Sequence, residues 1–293
     1  MAGMTMADEL RGFGLGEVVD DPAALDTLSR DASLFAIQPA LAVHPRTSSD
    51  VQTLVRWASR RRAAGVDVSL TARAAGTDMS GGPLSASVVV GFTAHLNRLK
   101  SISGDSAVVE PGMYYRDFEQ ATLAHHRLLP SYPASRELCT VGGMVANNSG
   151  GEKTLRYGKT NRYVKKLKMV VDNGNEYSFA ALSPAELAAK KKQPDREGEM
   201  YRQMHELLTT HADTIERARP TVSKNSSGYA LWDVIDPQRQ TFDLTQLITG
   251  SQGTLGLITE ITFQLVQPQN EAALLVIFLD NLQRLGEVIP RVF

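Results

Sequence analysis

Residues 71–82 read TARAAGTDMSGG, a stretch with three glycines, three alanines, two threonines and a serine. It overlaps the end of VDVSLTA (66–72), whose apolar residues alternate as in a strand. Almost none of its side chains can fill a core. Glycine lets a backbone take positive φ and approach a ligand closely. Successive free N–H groups then form a nest for an anion. Two more stretches share this composition, CTVGGMVANNSGG (139–151) and GSQGTLGLIT (250–259), each beside an apolar run. Three such loops in one chain point to a long phosphorylated ligand held along its length. A Rossmann site is not the holder, because no strand–GxGxxG–helix pattern occurs. GFGLG (12–16) follows a polar, helix-like segment, and no GxxxxGK[ST] is present.

The surrounding chain alternates helices and strands early and forms hairpins later. SSDVQTLVRWASRRRAA (48–64) predicts a helix capped by Ser48 or Ser49, with Asp50 in its first turn and Val51, Leu54, Val55 and Ala58 on one face. SVVVGFT (87–93) and SAVVEPG (106–112) read as strands joined by a polar turn. YYRDFEQATLAHHRL (114–128) reads as a helix. VKKLKMVVDNGNEYSF (164–179) reads as a hairpin around Asp172-Asn173-Gly174. SPAELAAKKK and the residues after it form wet helices. GLITEITFQLV (256–266) and LLVIFLD (274–280) read as strands, and LQRLGEVIPRVF (282–293) starts a helix. The mixture predicts an α+β, or mixed α/β, fold.

The chain has 293 residues, 42% of them hydrophobic, with a formal net charge of −1. This is an ordinary globular composition, and no global field draws the chain to nucleic acid or an anionic membrane. A single cysteine, Cys139, excludes an intrachain disulfide and fits a reducing compartment. No run is long and apolar enough for a membrane span, and the N-terminus lacks the basic and apolar regions of a signal peptide. A cytoplasmic location is expected, with peripheral attachment at the inner membrane left open. The six histidines show no zinc spacing, and no metal site is expected.

Seven segments occur in an order that closely resembles one family: HPRTSSDVQTLV (44–55), RAAGTDMSGG (73–82), VVEPGMYYRDFE (108–119), LPSYPAS (129–135), TVGGMVANNSGG (140–151), YGKTNRYV (157–164) and GSQGTLGLITEITF (250–263). They resemble the FAD-linked oxidases, whose two-subdomain flavin domain is of the p-cresol methylhydroxylase (PCMH) or vanillyl-alcohol oxidase type. Among these the chain is similar to D-lactate, glycolate and D-2-hydroxyglutarate dehydrogenases. KNSSGYALWDVID (224–236) adds a likeness to larger bacterial 2-hydroxyacid dehydrogenases.

The resemblance implies an N-terminal extension over 1–35, a PCMH-type FAD-binding domain over 36–270 and the start of a truncated cap over 271–293. It implies that Ala75, Gly76, Thr77 and Asp78, with Ser80 and Gly81, wrap the FAD pyrophosphate. Pro111 would turn the chain beside the cofactor. Pro133, Ser135, Thr140, Gly142, Gly143, Ala146, Asn147 and Gly150 would line the ribityl chain and flavin. Gly253, Ile258 and Thr259 would approach from the last loop. The family's cap commonly carries a motif such as HxxGDGNxH, which is absent here. The cap therefore reads as largely missing, to be supplied by a longer gene product or a separate chain. The catalytic base is left unassigned.

The implied activity is oxidation of a small 2-hydroxy acid, with electrons passed to a quinone, a cytochrome or an Fe–S protein. Arg73, Arg136, Arg162 and Lys224 are the candidates for holding a carboxylate. The alternative is a flavin-binding subunit with no chemistry of its own. Many relatives attach FAD through a histidine in the first loop, and this loop has none. Non-covalent FAD follows. Purified chain should be yellow, and acid or heat precipitation should release all flavin as FAD into the supernatant; flavin retained in the pellet would overturn that expectation.

Overall fold

The computed structural model describes residues 5–222, 225, 227–269, 273, 275–279 and 281–292. Strands Glu17–Val19 (β1), Leu41–His44 (β2), Leu70–Arg73 (β3) and Val88–Gly91 (β4) form one sheet in the order β1-β2-β4-β3. β2, β4 and β3 are parallel, and β1 pairs antiparallel with β2. All four residues of β4 are buried, as expected for the centre of a sheet covered on both faces. The step from β3 to its parallel neighbour β4 requires a crossover. Here that crossover is the small-residue stretch, residues 74–87, with no helix in it.

Helices Met6–Gly12 (α1) and Pro22–Asp26 (α2) flank β1, and Ser48–Ala63 (α3) joins β2 to β3. Of the expected extension 1–35, the described residues 5–35 contribute β1 and buried Leu10, Leu15 and Leu25 to the packing of this sheet. The cap of α3 is Thr47, one residue before the expected serines. Its Oγ1 accepts from Asp50 N at 3.2 Å, and the Asp50 carboxylate accepts from Thr47 N. Asp50 at the third helical position selects Thr47, because a reciprocal capping box needs this spacing. The expected stripe of Val51, Leu54, Val55 and Ala58 is buried, joined by Trp57.

The second sheet contains Leu99–Ser103 (β5), Ser106–Val109 (β6), Val164–Val170 (β7) and Glu176–Ala180 (β8). A short hairpin, Ile235–Asp236 (β9) with Thr241–Phe242 (β10), lies outside it, and Leu257–Gln264 (β11) completes it. The order is β5-β6-β11-β7-β8, antiparallel throughout. The expected β7–β8 hairpin forms at Asp172-Asn173-Gly174. β5 occupies residues that read as a polar turn. It is a mostly exposed edge strand with a bulge, so its alternation is weak. Helices Tyr115–Leu123 (α4) and Val141–Ala146 (α5) pack on this sheet; Phe118 and Phe263 rings lie 5.9 Å apart. Val170 and Leu257 belong to the core of the first sheet, so β7 and β11 knit the two layers together.

Leu275–Leu279, inside the expected strand 274–280, form no strand. A strand needs a neighbour for its N–H and C=O groups, and none lies beside it among the described residues. Leu275, Val276, Ile277 and Phe278 are exposed, Phe278 at 92%. Residues 274 and 280 lie outside the described residues. The expected helix follows at Leu285–Val292.

The layers meet at Gly112. A Cβ there would lie 2.1 Å from Phe92 O and 2.8 Å from Leu96 O, both backbone atoms that cannot swing away. Gly112→Ala should destabilise the fold by about 1–3 kcal/mol, the usual cost of overpacking. Scanning calorimetry should show a Tm several degrees lower; an unchanged Tm would mean that this junction is not tight.

Candidate functional site

The loop after β3 leaves the carboxyl end of a parallel strand, where open α/β sheets place their ligand crevices. Gly76 sits at φ +70°. Its carbonyl accepts from Ala32 N at 3.0 Å, which ties the loop to the N-terminal segment. The N–H groups of Gly76, Thr77, Asp78, Ser80 and Gly81 donate to no acceptor among the described residues. Exposed donors of this kind are what an anion nest requires. The Asp78 carboxylate accepts from Met79 N at 2.9 Å and from the Ser80 hydroxyl, so it braces the loop from within.

α5 forms the opposite wall. Thr140 caps it, accepting from Gly143 N at 3.3 Å. Gly142 packs on Pro111, whose carbonyl accepts from Gly142 N at 2.8 Å; a Cβ at 142 would lie 2.6 Å from that oxygen. On the next residue, a Cβ at Gly143 would lie 3.2 Å from Ala74 Cβ. The third loop docks on the end of α5 through Gln252 N to Ala146 O and Gln252 Nε2 to Asn147 Oδ1, both 2.9 Å.

Between these walls lies a cavity of about 310 Å³. Of the residues expected at the cofactor, Gly76, Thr77, Asp78, Pro133, Ser135, Thr140, Gly143, Ala146 and Asn147 line it. Ala75, Ser80 and Gly81 lie in the same loop without lining it, and Gly81 rests on the Phe35 ring. Pro111 and Gly142 support the wall from behind. Gly150 packs toward Thr154 and Lys159, and Gly253 toward Ala72. Ile258 packs against the core of the second sheet. Thr259 lies on a separate polar cavity, where its hydroxyl donates to Glu176 Oε1 at 2.5 Å. The structure does not bring Ile258 or Thr259 to the 310 Å³ cavity.

The sequence reading missed Ala72, Ala74, Met144, Ser149 and Gln252 on this lining. The two alanines belong to the same small-residue run, and Gln252 lies inside the third loop, so the signal was composition at those positions. Cys139 also lines the cavity. Burial pushes its thiol up to about 11, which keeps it protonated and inert at neutral pH.

A second, larger cavity of about 1020 Å³ adjoins the first at Asn147, which lines both. Its walls include Arg162, Lys165, Arg219, Trp232 and Thr249. Of the candidate carboxylate anchors among the described residues, only Arg162 faces this space. Arg73 is buried and donates to Leu28 O and Arg30 O at 3.2 and 2.6 Å. Arg136 is held by Glu137 and Glu119 and lies over the Tyr132 ring. Lys224 lies outside the described residues.

Residues 39–179 match the family model of the FAD binding domain. The chain is 28% identical over 260 residues to D-2-hydroxyglutarate dehydrogenase of Pantoea ananatis, covering 88% of this chain and 25% of that protein. It is 26% identical over 260 residues to the glycolate oxidase subunit GlcD of Bacillus subtilis, covering 87% of this chain and 43% of that one. Its fold is shared with an alkyldihydroxyacetonephosphate synthase at TM-score 0.60 and 20% identity, over 88% of this chain and 39% of the other. The chain therefore spans less than half the length of these relatives. Residues 39–179 carry an FAD binding domain, and over most of its length the chain is similar to D-2-hydroxyglutarate dehydrogenase and to a glycolate oxidase subunit.

The residues present fit the cofactor. A floor of alanine and glycine admits a flat, extended ligand, and the free N–H groups of Gly76, Thr77, Asp78, Ser80 and Gly81 suit its pyrophosphate. Gly143→Val should fill that floor without needing positive φ. FAD affinity should fall at least about tenfold, or roughly 1.4 kcal/mol, while circular dichroism stays that of the folded chain. Unchanged affinity would place the cofactor elsewhere.

Proposed function

We propose that this chain is the flavin-binding part of a dehydrogenase of 2-hydroxy acids, of the D-2-hydroxyglutarate, D-lactate or glycolate class. The observation that carries the reading is the convergence of three small-residue loops on one cleft that opens, at Asn147, into a polar groove. Bound FAD supplies a two-electron acceptor for the α C–H bond. The chain's own contribution is to hold the cofactor's phosphates on bare backbone and to place its reactive end beside a space that can take a small acid. Electrons would then pass to a quinone, cytochrome or Fe–S protein. No described helix is long and apolar enough to cross a membrane.

A second reading, a flavin-binding subunit without chemistry of its own, is favoured by one feature. Among the described residues, the only titratable side chains on the cleft are Asp78, engaged by Ser80 and Met79 N, and Cys139, held protonated. Neither is a free base for the substrate hydroxyl. On the first reading the base belongs to a substrate-covering domain. Anaerobic addition of D-2-hydroxyglutarate, D-lactate or glycolate separates the two. The chain alone should be reduced by dithionite and stay oxidised with the acids. With a covering domain or partner chain supplied, one of the acids should bleach the flavin stoichiometrically. Failure of all three acids in that assembly would sink the dehydrogenase reading. Bleaching by the chain alone would place the base within these residues.

A further inference from the structure

The groove beside the cleft holds an unbalanced positive charge. Four carboxylates line it: Glu152, Asp233, Asp236 and Asp243. Each is already engaged. Glu152 accepts from the Tyr132 hydroxyl at 3.1 Å, and Asp243 accepts from Thr245 N and Oγ1 at 2.9 and 2.7 Å. Asp233 faces Arg219 at 3.5 Å, and Asp236 faces Arg239 at 3.6 Å. Arg162 lines the same groove, and its guanidinium makes no hydrogen bond or ion pair among the described residues; only its backbone N–H is engaged, donating to Lys159 O at 3.2 Å. Its stem is nonetheless fixed in place. Gly158, at φ +76°, leaves the space into which the Arg162 side chain folds; a Cβ at 158 would lie 2.4 Å from Arg162 Cδ and Nε. The short 3-10 turn Thr160–Arg162 is anchored below by Thr160, which is fully buried, with its hydroxyl donating to Ser149 O at 2.8 Å. The neighbouring Asn161 is held by Asn148 and Gln246, both at 3.0 Å.

A guanidinium on a pre-set stem, with no counter-ion among the described residues, in a groove that joins the cofactor cleft suits a carboxylate. An arginine fork matches a carboxylate with two parallel charge-assisted hydrogen bonds. We propose that Arg162 anchors the carboxylate of a small organic acid bound in this groove. The identification of that acid as the substrate rests on the dehydrogenase reading above; the anion site itself does not. The groove lies beyond Asn147, and Arg162 does not line the cofactor cleft, so anion and FAD binding separate experimentally.

Pyruvate and 2-oxoglutarate test the site, because these keto acids resemble the products and do not reduce flavin. Isothermal titration of the FAD-loaded chain with either acid should show millimolar or tighter binding. Arg162→Gln should weaken it at least about tenfold, a loss of the size expected for a charge-assisted pair. Arg162→Lys should restore part of the affinity, and Arg136→Gln, at a cation already paired elsewhere, should leave it unchanged. FAD affinity should be the same in all variants. No binding of either acid at millimolar concentration, or equal binding by wild type and Arg162→Gln, would overturn the proposal. A parallel loss of FAD from Arg162→Gln would overturn it too, by making Arg162 a support of the cofactor. Arg162-dependent binding, together with a flavin that no 2-hydroxy acid reduces even when the covering domain or partner chain is supplied, would uphold the anion site and defeat the dehydrogenase reading.

Discussion

The structure depends on a seam from which side chains are excluded. Two sheets of different construction, one largely parallel and one antiparallel, must touch and yet leave a cleft between them. They do so at Gly112, Gly142 and Gly143, where added Cβ atoms would meet Phe92 O, Pro111 and Ala74. Backbone here meets backbone, or at Ala74 a side chain of one carbon, so the separation of the cleft walls is set by main-chain geometry. Side-chain walls could relax by changing rotamer; these cannot.

The seam is held by charge as well as by contact. Glu110, 1% exposed, directly precedes Pro111 and Gly112. Its carboxylate accepts from Arg98 N, Nε and Nη2 at 3.0, 3.1 and 3.0 Å. A buried carboxylate is tolerated only when its oxygens are satisfied in this way. The bonds close the β5–β6 hairpin and aim the Pro111 carbonyl at Gly142 N. Lys100 and Lys168 close the same network on Glu260, at 2.6 and 2.9 Å. There the lysine hydrogen bonds hold the Glu260 carboxyl below its ordinary range despite the opposing effect of burial. The position of α5, and with it one wall of the cleft, follows from this brace.

The cleft and the groove divide two tasks. Bare backbone suits a cofactor whose charge is spread over phosphates, because many weak donors match many oxygens. A single pre-set guanidinium suits a carboxylate, which is small and planar. Arg73 and Arg136 show why charge alone does not make such a receptor. One donates to backbone carbonyls and the other to neighbouring glutamates, so neither has capacity left.

Much of this was legible in the sequence. The small-residue runs at 71–82, 139–151 and 250–259 marked the three loops, because local composition reports backbone freedom directly. The stripe on α3 and the turn at Asp172-Asn173-Gly174 were equally plain, since periodicity and turn chemistry act over a few residues. β5 was missed because an exposed edge strand has no strict alternation to read. The strand expected at 274–280 does not form over Leu275–Leu279, an apolar run with no pairing partner among the described residues, and pairing is a tertiary property. The sequence by itself determined which loops were bare and how the chain alternates helix and strand. Only the tertiary structure decided that Thr259 bonds to Glu176 on a separate cavity, that Arg73 is consumed by carbonyls some forty residues earlier, and that, among the described residues, Arg162 alone keeps an unpaired guanidinium over the groove. Those outcomes depend on which segments distant in sequence meet, and the packing of the whole chain sets them.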